Sequence, residues 1–296
     1  MKRTTDRKNI YKEITDKIID SLQAGAIPWV RPWDAVKYGE HRNGVTNRPY
    51  RGLNVMLLNL VAMMKGFADP RWLTYRNAAK LGGHVRKGES GVSILFWKFV
   101  AEKECDEEEE RLIPIARMYT VFNVEQCQGL DLPELAAKGC EEEGANQAAE
   151  KILSLAKIVH GGGRAYYVKD RDVIVMPRRE AFENLDFYYS TGYHETLHWS
   201  GHPERLNRCF GKRFGDQAYA FEELVAEIGS AFLGAGTAIP FEEMRHPEYI
   251  NSWLEVLKND DKAIFTAAAQ AQAAADYLFA AAGLAVIEEE ELPQAA

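Results

Sequence analysis

The sequence predicts an α+β protein of two domains: a mixed helix and sheet domain over residues 1–127, a linker over 128–145, and a mostly helical domain with a small sheet over 146–296. Three observations carry that reading. The chain has 296 residues, 46% of them hydrophobic and 27% charged, which is enough for two ordinary cores. Its apolar spacing alternates between helical periods and short strand-like runs. Charge also divides unevenly: residues 1–100 hold 18 Lys and Arg against 8 Asp and Glu, net +10, and residues 101–296 hold 18 against 36, net -18. A basic first half is the footprint of a phosphate-rich partner, which the acidic remainder would repel.

Along residues 6–24, Ile10, Tyr11, Ile14, Ile18, Ile19 and Leu22 recur at helical spacing, and Gly25 ends the run. Residues 28–54 read as a loop-like surface in which Trp29, Arg31, Trp33, Arg42, Arg48, Tyr50 and Arg51 interleave. Rings offer unpaired bases a stacking face and guanidinium groups neutralise phosphates, a combination suited to single-stranded DNA. Trp29 and Trp33 have the alternative of stapling this loop to the first helix. A buried helix is expected over 53–65 and another over 74–81, with Trp72, Tyr75, Arg76 and Lys80 at or near its start. The segment 82–88 is a tight basic turn whose glycines let the backbone approach a ligand, with Arg86 and Lys87 at its tip. Its spacing is not that of a phosphate P-loop. Strands over 92–100 and 113–124 flank a solvated acidic connection at 102–110. Arg51, Arg76, Arg86 and Lys87 are the candidate phosphate contacts, and Trp72 and Tyr75 the candidate stacking residues.

The second domain opens with a helix expected over 147–159, broken by Gly161, Gly162 and Gly163, then a hairpin of 165–168 and 172–176 turning near Lys169-Asp170-Arg171. Arg178 and Arg179 read as charges that offset nearby carboxylates. Helices are expected again over 249–257 and 260–282, and Glu288 to Glu291 form a fraying end. No apolar run approaches the roughly 18 residues of a membrane span and no hydrophobic signal region follows Met1, so a cytoplasmic chain with no membrane partner is expected. Cys105, Cys127, Cys140 and Cys209 form no Cys-x-x-Cys pair and read as reduced bystanders.

The chemistry concentrates in His194-Glu195-Thr196-Leu197-His198. On a helix, residues four apart stand one turn above each other, so both imidazoles reach one ion while Glu195 leans beside it. Neutral imidazoles suit Zn²⁺, and a carboxylate that is adjacent but not ligating serves as general base toward water. A third ligand is needed. In residues 221–233, Phe221, Leu224, Val225, Ile228 and Phe232 form an apolar stripe, while Glu223, Ala226, Glu227 and Ser230 share the opposite side. Glu223 is therefore the expected third ligand. Glu227, one turn on, would accept from the free nitrogen of a ligating histidine, and Glu222 points elsewhere. For the oxyanion, Tyr193, His202 and Tyr219 are near enough in sequence to be candidates.

Other readings of these residues are weaker. His202 and Glu204 approximate the longer metzincin spacing, but Glu204 stands where a histidine is required and no Met-turn follows. The Pro-Cys-x-x-Cys partner of a zinc deaminase is absent, and a nuclease would more naturally use carboxylate-bound Mg²⁺. Glu222, Glu223 and Glu227 could also form a plain solvated face. A DNA-coating protein with a structural zinc and no peptide cleavage is the main rival, against which Glu195 speaks, since a closed structural site needs no base.

The chain resembles the ArdC family of antirestriction proteins of plasmids and phages. The likeness lies in Ala26-Ile27-Pro28-Trp29, Pro32-Trp33, Tyr50-Arg51-Gly52-Leu53-Asn54, Trp72-Leu73-Thr74-Tyr75, Gly82-Gly83-His84-Val85-Arg86-Lys87-Gly88-Glu89, Tyr119-Thr120-Val121-Phe122-Asn123, His194 to Gly201, Arg205-Leu206 and Glu222 to Leu233. The resemblance implies an N-terminal domain that binds single-stranded DNA, a zincin-like metallopeptidase domain, a host protein as possible substrate, and a role in protecting incoming mobile DNA from restriction.

Overall fold

The computed structural model describes residues 8–30, 39–102, 111–135, 146–210, 217–239 and 247–285. Arg31, Trp33, the acidic connection beyond Glu102, most of the expected linker, and Glu288 to Glu291 lie outside them. In chain order the elements are α1 (Lys8–Gln23), β1 (Arg42–Asn43), α2 (Leu53–Lys65), β2 (Arg71–Thr74), α3 (Tyr75–Lys80), β3 (His84–Val85), β4 (Val92–Glu102), β5 (Arg111–Asn123), β6 (Cys127–Gln128), α4 (Gln147–Leu153), β7 (Lys157–His160), β8 (Tyr166–Val168), β9 (Val173–Met176), α5 (Leu185–Ser200), α6 (Gln217–Thr237), α7 (Pro247–Asn259) and α8 (Ala263–Ala281). Of the described residues, 40–102 with 111–135 form one compact unit, and 8–30, 39, 146–210, 217–239 and 247–285 form the other. Among them, no helix is long and apolar enough to cross a membrane.

The first unit is built on a four-stranded sheet in the order β1-β2-β5-β4, parallel only between β1 and β2. The apolar helix α2 is tied to it by Asn54, whose side-chain amide donates to the Leu95 carbonyl at 2.7 Å and accepts from the Leu95 amide at 2.8 Å. A buried amide thus imitates one rung of a strand. Thr74 caps α3 by accepting from the Asn77 amide. The segment at 82–88 leads into a two-stranded sheet of β3 and β6, and its glycines serve the protein: a Cβ on Gly83 would lie 2.5 Å from the Gln128 carbonyl oxygen. The close backbone approach expected there is made to β6.

In the second unit, α1 buries Ile14, Ile18 and Leu22 against α7 and the start of α8. Tyr11 meets Phe265 edge-on at 4.7 Å, Thr15 Oγ1 donates to the Asp261 carbonyl at 2.7 Å, and Trp29 meets Trp253 edge-on at 5.5 Å. Trp29 is therefore a buried staple. The sequence division grouped α1 with the first domain; in the structure its buried face packs on α7 and α8, a partner that an amphipathic stripe alone does not specify.

The helix expected over 147–159 ends at Leu153, and residues 157–160 instead form β7, paired in parallel with β9. Ile158 and Val159 are β-branched and favour extended backbone, and the open edge of β9 gives that preference a ladder. The hairpin falls where expected, with Asp172 in the left-handed region at φ 49°, and the sheet order β7-β9-β8 leaves β8 at an edge. Beneath it lies α5, capped by Asn184 and buried almost all round from Tyr188 to Ser200, with α6 packed alongside.

Candidate metal centre and cleft

The two metal-type residues of α5 point at α6 because the helices approach closely at a glycine. A Cβ on Gly229 would lie 2.5 Å from Leu197 Cδ1 and 2.9 Å from its Cγ, so only a residue without one admits this spacing. The approach brings Glu223 to the histidines: its Oε2 lies 3.3 Å from His194 Nε2 and its Oε1 3.5 Å from His198 Nε2. The two Nε2 atoms are 3.1 Å apart, and one donor atom from each of the three residues falls within 4.8 Å of the others. All three are buried. The reading of Glu222, Glu223 and Glu227 as a solvated face fails, since they are 3%, 6% and 3% exposed.

Behind the histidines stand two further carboxylates. Glu227 Oε1 lies 3.6 Å from His194 Nδ1, where the sequence reading had it, though too long for a hydrogen bond. Glu222, expected to point elsewhere, faces inward with Oε1 3.2 Å from His198 Nδ1. Its charge is answered by Arg208, whose Nε and Nη2 donate to it at 3.0 and 2.8 Å and whose Nη1 donates to Ser200 Oγ. With α5 and its neighbours closing every side of α6, a residue one step from Glu223 still meets protein. Arg208 comes from the turn after α5 and carried no helical signal; the need to offset three glutamates on one buried helix was the available clue.

With each Nδ1 turned toward a carboxylate, both Nε2 lone pairs face one point beside Glu223, an arrangement that a cation resolves. Two imidazoles and one carboxylate are the donor set of a catalytic zinc site. The electrostatics express the same demand. Burial alone would push the His194 pKa down, but Glu223, Glu227 and Glu195 outweigh it and hold it up at about 10. Burial opposes the ionised form of Glu223, yet its contact with His194 and the charge of both histidines bring it down to about 2. Burial lifts Glu227 to about 7 and lifts Glu195 as well. Glu222 stays low against its burial because His198 and Arg208 hold its charge.

A cleft of about 750 Å³ opens over this cluster, lined by His194, Glu195, His198 and Glu223 on its floor, by β8 residues Tyr166 and Tyr167 on one wall and by Tyr219 and Tyr249 among the rest. The Tyr167 backbone amide faces the Glu195 carboxylate. Of the oxyanion candidates only Tyr219 lines the cleft; its hydroxyl lies 3.3 Å from that of Tyr249, and burial, then Tyr249 and Glu223, raise its pKa. Tyr193 is buried elsewhere, donating to Thr237 Oγ1 at 2.9 Å. His202 Nδ1 accepts from the backbone of exposed Glu204, and neither residue lines the cleft. The β8–β9 corner is held by Arg205, which pairs with Asp172, donates to the Trp199 carbonyl at 2.7 Å and stacks over the Trp199 ring at 3.8 Å. Arg179 offsets Glu150 at 2.8 Å, and Cys127 and Cys209 are free.

The candidate DNA residues of the first unit meet different fates. Trp72 is fully buried, with Nε1 donating to His41 Nδ1 at 3.0 Å, so it has no face for a base. Exposed Tyr75 and Arg76 a few positions on concealed that β2 is an interior strand. Tyr75 is 62% exposed and can stack. Arg76 and Lys87 are exposed and Arg51 half-buried, while Arg86 is exposed but pairs with Glu89 at 2.8 Å.

Comparison with known proteins divides the chain into two family regions, the first of which includes α1. Residues 8–122 match the family described as the N-terminal domain of anti-restriction factor ArdC, and residues 147–270 match a zincin-like metallopeptidase family. Two Escherichia coli proteins named DNA primase TraC are 37% and 36% identical over 93% of the chain, which spans 27% and 20% of their lengths. An uncharacterised Sinorhizobium fredii protein, y4eC, is 38% identical across 94% of this chain and 95% of its own. The metal-free crystal structure of the antirestriction protein ArdC from plasmid R388 superposes with a TM-score of 0.79 at 38% identity, covering 93% of this chain and 98% of that one. Its Mn(II)-bound form gives 0.77, covering 92% and 98%. On both family matches and this near end-to-end similarity, the chain belongs to the ArdC family of antirestriction proteins.

Proposed function

We propose that this chain is an antirestriction-type protein of mobile DNA that binds single-stranded DNA through its first unit and carries a zinc-dependent metallopeptidase site in its second. The observation that carries the second half is the convergence of two Nε2 atoms and one carboxylate beneath an open cleft. His194, His198 and Glu223 would hold the ion, and the solved Mn(II)-bound relative supports a divalent metal. When bound, it supplies a Lewis acid that polarises a substrate carbonyl. Glu195, buried beside the ligands where desolvation raises its affinity for a proton, acts as a carboxylate that takes a proton from the attacking water and passes it to the leaving amine. The Tyr219 hydroxyl donates to the developing oxyanion. The outer edge of β8 takes an extended peptide by strand addition, holding its scissile bond over the floor.

An open cleft and a buried base favour this reading over a structural zinc, which a fourth protein ligand would close. Host lysate incubated with zinc-loaded wild type should yield new peptide N-termini that are absent with Glu195→Gln. Identical N-termini in both samples would leave the DNA-coating reading in its place.

A further inference from the structure

The residues on α5 and α6 set what the cleft does to a substrate, and its rim decides what is admitted. Every carboxylate lining the cleft is engaged or buried: Glu222 by Arg208, Glu223 by the histidines, and Glu195 on the floor. The charged lining side chains that reach solvent are Arg164 and Lys169, both cationic. Neither has an ion-pair partner among the described residues. Lys169 Nζ lies over the Phe210 ring at 4.5 Å, which keeps its charge at the wall. The two bracket the edge strand, Arg164 shortly before its first residue Tyr166 and Lys169 directly after its last, Val168. This positive rim belongs to a stretch, residues 101–296, whose net charge is -18, so it opposes the composition around it.

We infer that the cleft selects extended peptides with acidic side chains on both sides of the segment lying against β8, one read by Arg164 and the other by Lys169. The inference rests on the peptidase reading for the kind of occupant and adds the charge that occupant carries. Strand addition gives backbone hydrogen bonds that ignore sequence, so charge at the two ends makes the choice. β8 is three residues long and Lys169 opens the turn that follows it, so acidic residues on one face of the peptide, four or six positions apart, lie opposite its two ends. A nucleic acid is the competing polyanion, but its backbone cannot continue a strand ladder.

The test uses the full chain as Glu195→Gln, with and without chelator, and fluorescent decapeptides carrying Glu/Glu, Ala/Ala or Lys/Lys at two positions four or six apart. Anisotropy at low salt should show Glu/Glu bound about two- to fivefold tighter per matched charge than Ala/Ala, with Lys/Lys weakest, and the spread should shrink at high salt. Adding Arg164→Glu and Lys169→Glu should invert the order without changing the melting curve, because both positions are exposed. Equal affinities, no binding of any peptide, or displacement by a single-stranded oligonucleotide whose own binding is lost in that variant would overturn the inference. Incubating wild type with the same peptides tests the underlying reading apart: selective binding without cleavage sinks the peptidase and keeps the selectivity, whereas cleavage regardless of charge does the reverse.

Discussion

Glu222 and Glu223 are neighbours in sequence with different surroundings, one beside His198 Nδ1 and Arg208 and the other between the two Nε2 atoms. Glu223 was legible because it shares a helical face with Glu227, whereas Glu222 lies about 100° away and becomes intelligible only once Arg208 is seen across from it. Glu222→Ala and Glu227→Ala should each weaken zinc binding by about 10- to 100-fold, the usual effect of losing a histidine's outer partner. Competition with a chromophoric chelator measures this. Arg208→Ala should cost about 3–5 kcal/mol in urea unfolding, since it strands a buried carboxylate; a change below about 1 kcal/mol would show that Glu222 needs no cation. The metal-free protein should also have a characteristic pH response. His194, held up at about 10, stabilises the fold below its ordinary value near 6.5 and loses that contribution as pH rises through 10. Glu227, lifted to about 7 by burial, favours the fold when protonated and also loses its contribution as pH rises. Glu223 acts at the other end, its contribution present above about 4.3 and lost as pH falls toward 2. Chelated protein should therefore melt lower at pH 9 than at pH 6, and added zinc should reduce the difference because its ligands bind deprotonated. A higher melting point at pH 9 with chelator present would contradict these assignments.

At the scale of elements, the centre depends on how closely α5 and α6 can lie. Gly229→Ala would gain about 1 kcal/mol in helix propensity, but the added methyl meets fully buried Leu197, and overpacking of this kind costs about 1–3 kcal/mol. Net destabilisation with weaker zinc binding is expected, read from the urea midpoint and chelator competition. A variant more stable than wild type with unchanged affinity would mean that the helices have slack. The elements whose own residues decide them were legible: α1, α2, α5, and the β8–β9 turn at Lys169-Asp170-Arg171. Those decided by a distant partner were not. Ile158 and Val159 sit among residues with helical apolar spacing, and only the edge of β9 draws them into β7.

Across the whole molecule, the charge split pointed to two kinds of work, and the structure narrows which residues of the first unit can do it. Trp72, locked to His41, should unfold the unit when replaced. Tyr75→Ala should lower affinity for a single-stranded oligonucleotide at every salt concentration, because stacking is the term it supplies. Lys87→Ala should flatten the slope of log K against log salt by about 0.7. Measured by anisotropy on the full chain, equal binding to duplex and single strand would remove the single-strand assignment while leaving the metal centre untouched.

Metal content is the measurement that decides whether α5 and α6 together build one catalytic-type metal site. Protein purified without chelator should carry about one zinc per chain by elemental analysis; His194→Ala, His198→Ala and Glu223→Ala should lose it, while Glu195→Gln and Glu204→Ala keep it. Wild type with no stoichiometric divalent metal, or Glu223→Ala retaining a full complement, would contradict the account.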